Sequence, residues 1–337
     1  VDKIGPESRS KTLGLKEKSR MARPHRRPQP WLQVRLAVYL LVVAAFLIVR
    51  SGKDWRLPFG TKTGSSSLGT GALPISGLDV APDLIRVLAA DYGQEYPKQH
   101  IDLQNGGTNQ ALEALINHQS DVAFQLRPPS PSEQALFQKT DGDTMLWYPV
   151  ALGGLVIVRA KPGPAVTVDD LRTFVMGESK GTFAHIYAPD PNLGVWDAFL
   201  DLVHIPRGQE PETERIVFLK DEAQVLQAVK DDSLGLALGS TFTFPADLDS
   251  VGVHAVPIRS EHGDVLPARG DILSGDYPLY HYLYAACRKN GTAQGAMFLT
   301  YLTSNRGQRH VEKAGYLPTR EILRPIVVTR TPVGRTS

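Results

Sequence analysis

Nine histidines, one cysteine and a few acidic pairs are the residues that could carry covalent or metal chemistry, and their spacing argues against both. The histidines stand at 25, 100, 118, 185, 204, 254, 262, 281 and 310, with no His-Glu-x-x-His run and no paired ligand spacing. His185 and His204 read as loop or surface residues. Cys287 lies in an apolar stretch and reads as a buried thiol, not a nucleophile. A lone cysteine also excludes an intrachain disulfide framework and any multi-cysteine zinc or iron–sulfur site. Gly239-Ser240 reads as a strand end, Asp231-Asp232 as a solvated helix end, and no Gly-x-Ser-x-Gly, Walker or Gly-x-Gly-x-x-Gly motif occurs. No catalytic residue, no metal and no cofactor is expected. Gly107-Thr108-Asn109 reads, at its plainest, as a Thr/Asn cap behind a Gly turn.

The elements that would position these residues alternate between strand and helix. A short strand at 72–76 is followed by a helical pattern from Pro82 to Tyr96, with Asp79 and Pro82 as start signals. His100–Gln104 has strand period, 109–118 is helical, and Asp121–Leu126 is again a strand. Three prolines in Arg127–Ser132 exclude helix and central strand there. Ala151–Ala160 is apolar throughout, as in a strand buried on both faces. Helices are expected from Asp169, over Trp196–Val203 and Glu222–Val229, with strands at 234–240 and 253–258. One long helix, 294–314, is expected to finish the chain. Repeated strand–helix–strand units predict a parallel-rich α/β sheet.

Charge divides the 337 residues unevenly. The total is nearly neutral, 37 Lys+Arg against 35 Asp+Glu, yet residues 1–35 hold ten basic residues and three acids. Leu36–Val49 then runs apolar without a break, flanked by arginines before it and bracketed by Trp31 and Trp55. That pattern reads as an uncleaved signal anchor with its basic end inside. A cleaved signal peptide and a buried core helix are the competing readings. A nucleic-acid arm is not expected, because the basic run has no interleaved aromatics. Met21 opens a compact basic-then-apolar unit, so residues 1–20 read as an extension. The organisation expected is a basic cytoplasmic region (1–30), a transmembrane anchor (31–50), a Gly/Ser/Thr linker (51–72), a folded body and a tail (326–337).

Four segments carry a resemblance. They are Tyr148–Val158, Val166–Phe174 with Gly177, Asp276–Tyr284, and Phe298–Pro318 with its Ala314-Gly315-Tyr316-Leu317-Pro318 ending. In order and spacing the body resembles the periplasmic substrate-binding proteins of phosphate-type ABC transporters. The resemblance implies a type II periplasmic-binding-protein fold. Two α/β lobes, 73–149 plus 257–325 and 150–256, would be joined by hinge strands, behind the N-terminal transmembrane helix. It implies a small ligand, phosphate or another anion, in a cleft between the lobes. It also implies a partner, an ABC permease or another envelope protein, with the body held outside a cell membrane.

The same resemblance implies contacts at three helix starts, and the sequence departs from the family at each. Asp79 stands where a threonine hydroxyl is expected, and reads either as a helix cap or as a charge that repels an anion. Thr108 and Asn109 keep a hydroxyl and an amide. Leu126 replaces a polar residue before Arg127. Around Asn192-Leu193-Gly194-Val195 both hydroxyls and the family arginine are missing, and Gly194 alone lets the backbone approach a ligand. The candidate contacts are therefore Asp79, Thr108, Asn109, Arg127, Asn192 and Gly194. Losing several charge-assisted hydrogen bonds of about 1.5–3 kcal/mol each is expected to abolish tight phosphate binding. The alternative function is an accessory or sensor module that no longer binds a ligand.

Overall fold

The alternation of β-period and helical segments builds two sheet halves that share one long strand. The computed structural model describes residues 71–178, 183–209 and 214–320. The expected basic head, membrane anchor, all but the end of the linker, and the tail lie outside the described residues. Among the described residues no helix is long and apolar enough to cross a membrane. The chain begins with β1 (Ala72–Ser76), α1 (Pro82–Glu95), β2 (His100–Gln104), α2 (Thr108–Ile116), β3 (Val122–Gln125) and α3 (Pro131–Asp141). The strand β4 (Met145–Arg159) leads to α4 (Val168–Val175), β5 (His185–Pro189), α5 (Val195–Leu202), β6 (Ile216–Leu219), α6 (Glu222–Asp231) and β7 (Gly235–Ser240). Three short strands, β8 (His254–Ala255), β9 (Ile258–Ser260) and β10 (Gly263–Val265), and α7 (Arg269–Ser274) precede β11 (Tyr280–Arg288). The helices α8 (Ala293–Thr303) and α9 (Asn305–Lys313) and the strand β12 (Leu317–Pro318) follow.

The main sheet runs β2-β1-β3-β11-β4-β7-β5-β6. In lobe one β1 pairs in parallel with β2 and β3, and β11 lies antiparallel to β3. In lobe two β5 pairs in parallel with β6 and β7. The strand β4 belongs to both halves: it pairs with β11 from Met145 to Gly154 and with β7 from Leu155 to Val158. This is a mixed α/β two-lobe fold of periplasmic-binding-protein type. Residue 150, the expected start of lobe two, falls inside β4, and residue 257 falls between β8 and β9. Glycine is required at the crossing, where a Cβ on Gly153 would meet the Phe242 ring and Thr241 Oγ1 at 2.7 Å. Apolar burial holds the halves together, with a continuous core running from Leu73 and Phe298 through Leu155 to Phe174 and Phe199. Each such side chain contributes about 1.5–3 kcal/mol by leaving water.

Five expectations are corrected. The proline-rich segment enters a helix at Pro131, which sits in the first turn where its missing N–H is not needed. Ser130 caps that helix by accepting from Glu133 N at 3.2 Å. The hinge strand starts at Met145, six residues before its apolar run. The expected strand 253–258 is divided between β8 and a β9–β10 hairpin. The long final helix is two helices. Ser304 takes an extended conformation (ψ 163) and caps α9 through Gly307 N at 3.2 Å, because Gly307 packs on the carbonyl of Tyr301. Finally, Asp79 does not cap α1. Its carboxylate accepts from Gly106 N at 2.8 Å, across the loop that leads into α2.

Candidate functional site

Where strands of an open α/β sheet end and helices begin, backbone N–H groups converge, and this is where such folds bind ligands. Here β1, β3 and β5 each end at the seam between the lobes, and the segments after them meet there. The 3-10 turn Pro191–Leu193 and Gly194 of lobe two lie directly against the start of α2 in lobe one. Thr108 is fully buried. Its hydroxyl donates to the Leu193 carbonyl at 3.0 Å and accepts from Leu126 N at 3.1 Å. Gly194 adopts φ +87, a left-handed conformation that favours glycine, and a Cβ there would overlap Thr108 Oγ1. A Cβ on Gly107 would overlap the carbonyl oxygen of Asn192. The two lobes therefore touch backbone to backbone at this point.

Arg127 is buried beside this contact, its side chain only 4% exposed. Its Nε donates to Asp197 Oδ2 of lobe two at 2.8 Å. Its Nη1 donates to Glu133 Oε2 at 2.8 Å and to the Pro128 carbonyl, and its Nη2 to Glu133 Oε1 at 2.7 Å and Asn109 Oδ1 at 2.8 Å. All five N–H donors of the guanidinium are thus engaged. Burial acts to lower the pKa of Arg127, but the bonds to Glu133 and Asp197 outweigh it and hold the value above the usual one. For Glu133 burial acts upward, and Arg127 with the Ser130 amide bring the carboxyl below its ordinary value. Both groups are charged at neutral pH.

Of the six residues singled out from sequence, Thr108, Asn109, Arg127 and Gly194 meet at the seam. Asn192 meets it through its backbone only, its side chain being exposed. Asp79 is exposed and joins the adjoining Gly106 loop. Sequence reasoning missed Glu133 and Asp197, the two carboxylates that neutralise Arg127. A Ser-x-x-Glu box at 130–133 was the available signal for Glu133; Asp197 had none beyond its place in the first turn of α5. Glu222, at the start of α6, was also missed. Burial pushes its carboxyl pKa up, with Asp221 and Asp79 adding to the shift, and its Oε1 is buried without a partner. Gln125 is fully buried, and neither of its amide atoms has a partner. By strand alternation it shares Ala123's face toward α2.

The hinge side of the seam is also joined. Ser240 Oγ of β7 lies 3.0 Å from His281 Nε2 of β11, and Thr241 Oγ1 accepts from Gly154 N at 3.0 Å. Burial lowers the pKa of His281 to about 4, so the ring is neutral at physiological pH.

Two lobes, a shared crossing strand and helix starts facing a seam define the solute-binding class of α/β proteins. The PBP superfamily domain matches residues 63–306, and the chain belongs to that superfamily. It is 23% identical over 311 residues to the phosphate-binding protein PstS of Bacillus subtilis, a match covering 89% of this chain and 98% of that protein. Its fold is similar to an ABC-type phosphate transport receptor from Vibrio cholerae (TM-score 0.58, 18% identity, 73% of this chain and 99% of that one). It is also similar to a protein from Clostridium perfringens solved with bound phosphate (TM-score 0.60, 17% identity, 74% of this chain and 100% of that one).

Proposed function

We propose that this chain is a membrane-tethered, extracytoplasmic module of the substrate-binding type whose central seat is closed by its own residues, so that it does not carry phosphate there. The observation that carries this reading is the saturation of the seat. The Thr108 hydroxyl has both its partners within the protein, and Arg127 has five. An entering oxyanion would have to displace the Leu193 carbonyl and the Asp197 carboxylate. It would also approach Asp79, whose carboxylate sits on the adjoining Gly106 loop and repels it. The Asp197–Arg127 pair gives the closed arrangement the charge neutralisation that an anion would otherwise provide. In this reading the protein acts as an accessory or sensor of the cell envelope, contacting a permease or another envelope protein through its lobes. The tether rests on the basic cluster and the apolar run at 36–49.

Calorimetric titration of the full chain with phosphate and sulfate tests this directly. No saturable heat is expected for either. Micromolar phosphate binding that Thr108→Ala weakens would sink the reading and restore a transport receptor for phosphate, the function that the relatives' names suggest. N-terminal sequencing of the mature protein tests the tether, which fails if the chain begins after residue 50.

A further inference from the structure

The two ends of the main sheet are finished differently. At one end β2 carries Asp102 in mid-strand, between His100 and Gln104, and a charge there blunts the free edge. At the other end β6 is Ile216-Val217-Phe218-Leu219, with no charge, proline or glycine to interrupt it. Among the described residues β6 pairs with β5 alone. Phe218 is 44% exposed, its ring meeting Trp196 edge-on with centroids 5.2 Å apart, and the other three side chains are half-buried. The alternation of backbone groups fixes what this edge offers. The Arg215 carbonyl accepts from Ile186 N at 2.8 Å, so Arg215, Val217 and Leu219 direct their N–H and C=O groups toward β5. Ile216 and Phe218 direct theirs outward, and among the described residues those donors and acceptors have no protein partner.

An extended strand satisfies such an edge, and a second β6 fits it in one antiparallel register. Hydrogen bonding must join outward-facing residues to outward-facing residues, so even-numbered positions pair only with even-numbered ones. Placing Ile216 opposite Phe218 of the second copy gives every outward group on both strands a partner. A two-fold axis then passes between Val217 and its counterpart, and Glu214 falls opposite Lys220 once on each side of the axis. Both of those side chains are exposed and make no bond among the described residues. Sliding the strands by two residues sets Lys220 against Ile216 in one direction and Glu214 against Phe218 in the other, so that a charge faces an apolar side chain in either case. The register that satisfies the backbone is thus also the one in which the strand's own flanking charges attract. Such self-complementarity is the mark of an isologous contact between identical chains.

We infer that the chain pairs with a second copy of itself through β6, joining two sheets edge to edge in an antiparallel dimer with Val217 on its axis. No residue of β6 belongs to the central seat, so the inference holds whether or not that seat is closed. The Val217 pair is of the kind without mutual hydrogen bonds, with Cα atoms about 4.5 Å apart, within reach of a disulfide. Two copies of Phe218 would be offset along the strands and lie more than about 7 Å apart, beyond that reach. Full-length Val217→Cys in detergent, oxidised with copper–phenanthroline, is therefore expected to run mainly as a disulfide dimer on a non-reducing gel. Phe218→Cys should remain monomeric there, as should the unaltered chain, whose one thiol at Cys287 is buried. Sedimentation of the unaltered full chain in detergent should show a monomer–dimer equilibrium below about 100 μM. Glu214→Lys sets like charges opposite one another and should weaken that dimer by about tenfold, and adding Lys220→Glu should restore it. A chain that stays monomeric at that concentration overturns the inference. So does equal cross-linking of Val217→Cys and Phe218→Cys, a dimer indifferent to Glu214→Lys, or a charge swap that fails to restore it.

Discussion

Arg127 and Arg269 stand on the same seam and could hardly be placed more differently. Arg127 is buried at the centre, with every N–H engaged and two carboxylates beside it. Arg269 is exposed at the α1 end, bonded weakly to two carbonyls and paired with no acid among the described residues. The difference shows how burial decides what a guanidinium must be paired with. A guanidinium that has been desolvated needs its counter-charges inside the protein, and once they are there it offers nothing to a ligand. A guanidinium at the surface keeps its hydration and needs no such partner.

The comparison is broken most forcefully at Arg127. Arg127→Ala leaves Glu133 and Asp197 without their partner in a buried setting, and a loss of about 3–5 kcal/mol is expected from chemical denaturation. Arg269→Ala, measured in the same way, should lie within about 0.5 kcal/mol of the unaltered protein. Comparable losses at the two sites would mean that burial does not separate them. Gly194→Ala comes next. It forces a Cβ into the left-handed region and onto Thr108 Oγ1, for about 3 kcal/mol. The double variant with Thr108→Ala should recover part of that loss, because the overlap with Oγ1 is removed while that with the Thr108 Cβ at 2.6 Å remains. Strict additivity would show that the lobes do not touch there.

A third break uses pH. His281 has its ordinary pKa of 6.5 when unfolded and about 4 when buried. Between these values the unfolded chain binds more protons, so stability rises with pH across that window. The contribution is complete above pH 6.5 and falls as pH drops toward 4. It amounts to about 1 kcal/mol lost by pH 5.5 and about 3 kcal/mol at pH 4. His281→Gln should flatten that part of the profile. An unchanged slope between pH 4 and 6.5 would remove His281 as its source.

Much of this architecture was legible in the residues. The strand periods of 72–76, 100–104 and 121–126 and the apolar run from 151 placed the sheet, because local pattern and burial agree there. The break at Ser304 was hidden, because apolar residues on either side, such as Leu302 and Val311, continue a helical face. Helix α3 was hidden by prolines whose position in the first turn, not their number, decides the outcome. At the seam, Thr108 and Arg127 were visible as types. Their saturation was not, because Asp197 and the Leu193 carbonyl arrive from another lobe, and no spacing along the chain encodes how lobes dock.

A further small effect isolates burial from chemistry within one helix. Asp197 and Asp201 lie one turn apart on α5, and each holds an arginine. Arg207 Nε and Nη2 donate to Asp201 at 3.1 and 2.5 Å, a bidentate arrangement at least as good in geometry as Arg127 with Asp197. Their side chains, however, are 26% and 42% exposed, against 4% and 16% for the buried pair. Water and salt screen the outer pair, so its Coulombic gain nearly cancels the cost of ordering two side chains. Arg207→Ala should therefore change stability by less than about 1 kcal/mol, and by less still at high salt. If it instead approached the loss at Arg127, the controlling variable would be the ion pair itself. The closed centre of the seam would then owe nothing to being dry.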